Sequence, residues 1–311
     1  NLRCGKRSLA DTASGEMPML CDEPNVGYSQ IAGDGMCDRL ISNRVYLFVK
    51  IVLVIALVIP SARLYAQPVS AEIVKLTTRG DVTQQYLLIK QSDQPKVAAV
   101  LFTGGDDALK FSGTFPNIRW EPAGASYVVR ARGYFRDVET AVAIVDAASD
   151  RWSIGQDHTF RSSNAHVEDV RLVVSDLRRR FPKAKLYFVG TSSGTVSAAR
   201  VGRQLASEIN GVVLSSAIFV GRMSLTKSDV DDYPVPLLFV HHANDPCQWT
   251  PYSAVKAYAE RHPFIEVTGG ESAKDNGCGP MGPHGFLGLE REVALEIKNW
   301  IHGRPYKKQL P

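Results

Sequence analysis

The chain has 311 residues, 44% hydrophobic and 22% charged, with 5 cysteines and a formal net charge of +4 at pH 7. So slight an excess of positive charge, with no basic block and no interleaving of basic and aromatic residues, gives no reason to expect a nucleic-acid partner. Neither an internal repeat nor a long low-complexity linker divides the sequence.

Residues 1–35 are polar, rich in Gly, Ser, Asp and Asn, and are expected to lie upstream of the fold. Met36 opens a secretory pattern spanning residues 36–66. Arg39, Arg44 and Lys50 supply positive charge, Ile51–Ile59 is an apolar core, Pro60 breaks it, and Ala66 or Ala71 offers a small residue for cleavage. The apolar run falls short of the roughly 20 residues that cross a bilayer. Export to a periplasmic or secreted location is therefore expected, with no stable membrane insertion after cleavage. The alternative is a retained N-terminal anchor, lengthened across Lys50 by Val45–Val49. Residues 67–311, about 245, suit one α/β domain, and their net charge stays slightly positive.

Two alternating segments, Glu72–Thr78 and Val82–Lys90, read as an antiparallel hairpin at a sheet edge. Val97–Phe102 is a continuous apolar run, the pattern of a strand buried on both faces. It ends in Thr103-Gly-Gly-Asp-Asp107, where two glycines permit a backbone that aims N–H groups at a ligand. Gly105 or Asp106 is expected to supply such an N–H; an ordinary tight turn is the plainer alternative. Ser126–Asp137 has helical spacing, and Ala141–Asp146 is a further buried strand. The loop Ala147–Ser163, carrying Trp152, His158 and Phe160, is long enough to border a site. Ser163 or Asn164 caps a helix running to Arg180, with Val167, Val170, Val174 and Leu177 on one face. His166, in its first turn, is expected to be structural.

Leu186–Gly194 then reads as a short buried strand ending in Gly190-Thr-Ser-Ser-Gly194, with Thr195–Arg200 opening a helix. G-x-S-x-G alone is a weak signal, but a flanking strand and helix are the context in which it forms a nucleophile elbow. Ser192 is the middle serine; the neighbouring register fails because Thr191 and Thr195 would flank Ser193. Ser192 is thus the candidate nucleophile, and the N–H of Ser193, at a helix N-terminus, a candidate oxyanion donor.

Strands are expected at Gly211–Ser216, Pro236–His241 and Phe264–Thr268, the last closing the sheet. A helix is expected over Leu289–His302. The segment Ala217–Val235 is too short to hold a cap domain, which implies a shallow, open site. Asp245 follows the strand Pro236–His241, where a carboxylate can orient an imidazole; Asp231 and Asp232 precede that strand and read as solvated. His241 and His242 are adjacent, point to opposite faces of an extended chain and have no companion ligands, so no metal is expected. His284 sits in a Gly- and Pro-rich loop ahead of the last helix, and the order Ser192, Asp245, His284 is the one expected behind such an elbow.

Cys4, Cys21 and Cys37 fall in the upstream segments. Cys247 and Cys278 remain, an even pair in an exported protein, and are expected to form a disulfide, with two buried thiols as the alternative. One follows the acid by two residues and the other precedes the histidine by six, so a bridge would clamp two loops that must meet.

On Thr103-Gly-Gly105, Gly190-Thr-Ser-Ser-Gly194, His242-Ala-Asn-Asp245 and Pro283-His-Gly-Phe-Leu-Gly288, the chain resembles the α/β-hydrolase superfamily. The likeness is to its small, capless, exported bacterial esterases and dienelactone-hydrolase-like members, and it covers roughly Glu72 to Gly303. It implies a mostly parallel central sheet with helices on both faces, no large cap domain, and hydrolysis of a small-molecule ester without a cofactor. The His-Gly-Gly-Gly loop of lipases is replaced here by Thr103-Gly-Gly-Asp106, which leaves the second oxyanion donor open between Gly105 and Asp106. A serine peptidase or amidase on the same fold, and a non-catalytic hydrolase-like binding protein, are the alternatives. Oligomeric state is not legible.

Overall fold

A computed structural model describes residues 68–121, 125–258 and 261–311. The expected upstream segment at 1–35 and the secretory pattern at 36–66 lie outside the described residues. Among the described residues nine strands form one sheet, β1 Ser70–Thr77, β2 Thr83–Lys90, β3 Val97–Phe102, β4 Thr140–Val145, β5 Lys185–Thr191, β6 Gly211–Ser215, β7 Leu237–His242, β8 Phe264–Val267 and β9 Gln309–Leu310. Their spatial order is β1-β2-β4-β3-β5-β6-β7-β8-β9. The β1–β2 hairpin pairs antiparallel, as does β2 with β4, and every later pairing is parallel.

All six residues of β3 are buried, which is why that stretch shows no polar alternation. The two-residue period sends Ala98, Val100 and Phe102 into one core and Val97, Ala99 and Leu101 into the other. The first core is covered by the helices Asn164–Arg180 and Gly194–Gln204, through Val170, Val174, Leu177, Val196 and Val201. The second is covered by Tyr127–Phe135 and by the helix Glu290–Ile301, through Val293, Ala294, Ile297 and Ile301. Helices on both faces of a mostly parallel sheet follow directly from strands that are apolar throughout.

The helix Asn164–Arg180 is capped by Ser163, whose hydroxyl accepts the His166 N–H at 3.2 Å, and it stops at Phe181, just ahead of Pro182. Two expectations need correction. The helical spacing over Ser126–Asp137 forms two short helices, Tyr127–Arg130 and Arg132–Phe135, broken at Ala131. Phe264–Val267 does not close the sheet: β9 adds alongside it, too short for any periodic pattern to reveal. Between β6 and β7 lies only the short helix Lys227–Val230, so no large cap is present among the described residues. No described helix is long and apolar enough to cross a membrane.

Candidate active site

The centre of the site is the turn between β5 and the helix Gly194–Gln204. Ser192 has φ +51°, a left-handed conformation that is unfavourable for a residue with a side chain. Its surroundings hold it there: the Ser192 N–H donates to the Ser215 carbonyl at 3.0 Å, and the Thr195 hydroxyl and N–H both donate to the Ser192 carbonyl, at 2.6 and 2.9 Å. The motif glycines are sterically required. A Cβ on Gly190 would lie 2.4 Å from the Gly194 carbonyl oxygen, and one on Gly194 would lie 2.3 Å from that of Phe102. Gly104 lies against the serine as well, since a Cβ there would come within 2.9 Å of Ser192 Cβ.

The remaining expected residues converge on this turn. His284 occupies a short 3-10 turn, Pro283–Gly285, and its Nδ1–H donates to Asp245 Oδ2 at 2.9 Å, with Oδ1 at 3.2 Å. The Asp245 carboxylate is fully buried at the end of β7 and accepts two further bonds, from the Cys247 N–H at 3.0 Å and the Thr250 hydroxyl at 2.8 Å. Burial pushes the Asp245 carboxyl up, but the hydrogen bond and charge of His284, together with the Cys247 N–H, outweigh it and hold the group below its ordinary range. The second His284 ring nitrogen, Nε2, is buried without a hydrogen-bond partner. The Ser192–His284 bond is therefore not made in this structure; such contacts are often loose before substrate binds.

Ser192 and His284 line one cavity of about 360 Å³, together with Gly104, Gly105, Tyr127 and Cys278. A second hollow of about 320 Å³ shares Gly105, Ser192 and Cys278 and extends toward His158, Val220 and Trp249. The N–H of Gly104 is taken by the Ser126 hydroxyl at 3.1 Å. Those of Ser193, Gly105 and Asp106 make no hydrogen bond among the described residues.

Cys247 and Cys278 are bonded, with their Cα atoms 4.4 Å apart, so the expected disulfide is present and joins the acid loop to the histidine loop. His166 is structural, as expected: burial, then the charges of Arg161 and Arg79, push it down to about 3, and its Nε2 meets the Ser197 hydroxyl at 2.9 Å. Asp231 pairs with Arg261 and Lys227 on the surface, away from the site. The adjacent histidines part company. His242 Nε2–H donates to the Gly269 carbonyl at 2.7 Å, while His241 is fully buried with its Nε2 3.7 Å from Asp245 Oδ2. Burial pushes His241 down to about 4, against the pull of Asp245. No described group of His, Cys, Asp or Glu is arranged to hold a metal ion.

Several supporting residues were not singled out in the sequence. Ser216, at φ +46°, donates its hydroxyl to the His284 carbonyl at 2.8 Å. Thr250 bridges Asp245 and approaches His284 Nδ1 at 3.4 Å. Arg130 donates to the carbonyls of Pro280 and Gly285, at 2.9 and 2.7 Å, and pairs with Glu290, tying the histidine loop to the last helix. Apart from Asp245, five residues before Thr250, their partners are distant in sequence, and no local pattern marks them. The loop Ala147–Ser163 does border the site: His158 Nε2 lies 3.1 Å from the Ser193 hydroxyl.

A family profile described as "Serine aminopeptidase, S33" matches residues 134–238, a stretch that contains Ser192 and stops before Asp245 and His284. No curated protein matches the sequence. Among solved structures, a dienelactone hydrolase from Anabaena variabilis aligns with a TM-score of 0.51 at 12% identity, covering 76% of this chain and 98% of its own. Est1E from Butyrivibrio proteoclasticus with bound ferulic acid aligns at 0.50 and 13%, covering 74% and 98%. A lid-less α/β serine hydrolase from Xanthomonas campestris aligns at 0.49 and 15%, covering 77% and 98%. With its largely parallel sheet, strained serine turn and likeness to the dienelactone hydrolase, this chain has the α/β-hydrolase fold, without a large cap domain among the described residues.

Proposed function

We propose that this protein is a serine hydrolase that cleaves small carboxylic esters through an acyl-enzyme. The observation that carries the reading is the Asp245–His284 bond of 2.9 Å beside a serine held at φ +51° on the wall of the same cavity. A strained, outward-facing serine and an imidazole oriented by a buried carboxylate are the two things this chemistry needs.

In the proposed cycle Asp245 keeps the Nδ1 proton of His284 in place, which leaves Nε2 as the base. Nε2 takes the Ser192 proton as Oγ attacks the ester carbonyl. The carbonyl oxygen, now negative, is met by the Ser193 N–H and by the Gly105/Asp106 turn. Collapse of the tetrahedral intermediate breaks the bond to the alkoxy oxygen, which leaves with the proton from His284. Water then repeats the sequence on the acyl-enzyme and releases the acid. No cofactor enters any step. Export is part of the proposal, supported by the charged, apolar and small-residue pattern of residues 36–66 and by a disulfide suited to an oxidising compartment.

Two observations favour a second reading, an aminopeptidase or amidase: the description of the matching family, and the Asp107 carboxylate on the cavity wall, which could receive an amine. One experiment separates them. The parent is labelled with a fluorophosphonate and assayed on paired p-nitrophenyl esters and aminoacyl p-nitroanilides. Labelling at Ser192, ester turnover and loss of both in Ser192→Ala are expected. Turnover of the anilides alone would favour the second reading. Undiminished activity in Ser192→Ala together with its loss in Ser193→Ala would transfer the nucleophile to the neighbouring serine.

A further inference from the structure

Arg161 is 1% exposed and makes no ion pair among the described residues. Desolvation alone depresses its guanidinium to about 10, against weak support from Asp106 and Asp157. A buried, unpaired charge is costly, and a packed apolar side chain of similar volume would often stabilise a fold better. What the guanidinium touches is therefore informative. Nη2 donates to the carbonyls of Thr103 and Gly105, at 3.3 and 2.8 Å, and Nη1 donates to the Ser197 hydroxyl at 2.9 Å. The same loop takes a third carbonyl of that turn, since the Gln156 N–H donates to Asp106 at 2.8 Å. Three of the four carbonyls from Thr103 to Asp106 are thus held by residues 156 and 161.

In a trans peptide the N–H points opposite to the C=O of the same unit. The Thr103 carbonyl faces Arg161, and the N–H of its unit, on Gly104, is spent on Ser126. The Gly105 carbonyl also faces Arg161, and the N–H of its unit is that of Asp106. This N–H is left free on the far side from the guanidinium, in a turn that lies against Ser192. The positive charge behind the unit also strengthens its dipole in the sense that favours an anion at the N–H. On the other flank, Ser197 accepts from Arg161 and so has its own proton for His166, whose uncharged ring adds no second cation.

We propose that Arg161 is the positioning residue of the oxyanion hole, holding the Thr103–Asp106 turn by its carbonyls and thereby selecting the Asp106 N–H as the second donor. This rests on the serine-hydrolase reading and deepens it.

The test compares the parent, Arg161→Lys and Arg161→Met on p-nitrophenyl butyrate, with phenylboronic acid as a mimic of the tetrahedral adduct. Arg161→Met is expected to lower kcat by about 10²-fold, the size of effect seen when one oxyanion donor is lost, with KM changed less than about threefold. Boronate affinity should fall by about tenfold or more, and Arg161→Lys, which keeps the charge, should recover most of both. A merely structural role would instead lower both variants together with their thermal midpoint and leave the ratio of boronate to substrate affinity unchanged; that result overturns the proposal. A folded Arg161→Met with kcat within about threefold of the parent also overturns it. Should Arg161→Met not fold, Ser197→Ala, which frees Nη1, is expected to lower kcat by about three- to tenfold at constant KM, and no change refutes the proposal. A parent that neither turns over ester nor labels at Ser192 overturns the hydrolase reading and this inference with it. A parent that does both while Arg161→Met stays active overturns the inference alone.

Discussion

Breaking the Cys247–Cys278 bridge, by reductant or by paired replacement with serine, should disable the site before it melts the sheet. The bridged residues are 31 apart, and in the chain-entropy model a closed loop of that length contributes about 3.7 kcal/mol at 25 °C. For a domain of this size that is a fall of about 7–15 °C in thermal midpoint. Much of the bridged loop is ordered by other means: Val255 is buried in one core, and β8 is paired on both sides. The global loss should therefore fall below that figure. Locally the bridge does more, because Cys247 donates its N–H to Asp245 and Cys278 forms part of the cavity wall. Without it, the 3-10 turn carrying His284 depends on Ser216, Arg130, Asp245 and the longer contact with Thr250 as its polar tethers. The assay is ester turnover and far-UV circular dichroism against temperature, with and without reductant. Activity is expected to disappear at a temperature where the dichroism of the reduced protein is still native. Coincident activity and dichroism curves, or curves indifferent to reductant, would refute the reasoning.

Asp245→Asn should leave the fold intact and lower kcat by about 10⁴-fold, since an amide can favour the wrong His284 tautomer; a loss under about tenfold, read from steady-state kinetics, would remove Asp245 from the mechanism. Gly194→Ala, with its Cβ forced to 2.3 Å from a backbone oxygen, should destabilise by about 3 kcal/mol or more in urea unfolding. Gly133→Ala, in a short helix with open space around it, should be neutral or stabilise by up to about 1 kcal/mol, and equal effects at the two sites would contradict the packing described. His166 and His241 are held uncharged in the folded state, at about 3 and about 4, against an ordinary 6.5. Both folded values are depressed, so the unfolded chain takes up these protons first, and stability present above pH 6.5 is lost as pH falls toward 4. Urea midpoints at several pH values should decline over that window and decline less steeply in His241→Leu; parallel slopes would exclude His241 as a contributor.

The strands were legible because parallel strands buried on both faces carry uninterrupted apolar runs, as Val97–Phe102 does, and the long helix was legible from Ser163 and its periodic valines. The elbow could be read because a strand, two glycines and a helix start are all local signals. Asp245 and His284 could be ordered only by analogy with the superfamily, since the bond between them joins residues 39 apart. Ser216, Thr250, Arg130 and Arg161 were illegible for a related reason. Serine, threonine and arginine are ordinary surface residues until the fold brings a carbonyl or carboxylate to them, and nothing adjacent in the chain marks that event. β9 has two residues, and two residues have no period. The break at Ala131 leaves no mark in the helical spacing, since Tyr127 and Phe135 on either side of it enter the same core.

The short β9 has a consequence for how the molecule keeps to itself in a crowded solution. At one rim of the sheet, β1 exposes Ser70, Glu72, Lys75 and Thr77, and the charges of Glu72 and Lys75 deter a stranger from pairing with it. The opposite rim would be β8, four residues containing the fully buried Ile265 and Val267, were it not for the tail that returns from the last helix. Glu266 donates its N–H to Lys308 and Thr268 donates to Leu310, at 2.9 and 3.1 Å, so those donors are occupied and the remaining rim is only two residues long. Proteolytic trimming behind His302 would strip this cover without touching Ser192, Asp245 or His284. A trimmed protein of that kind should retain its chemistry at first and be lost afterwards by self-association, through an edge that the intact chain never presents.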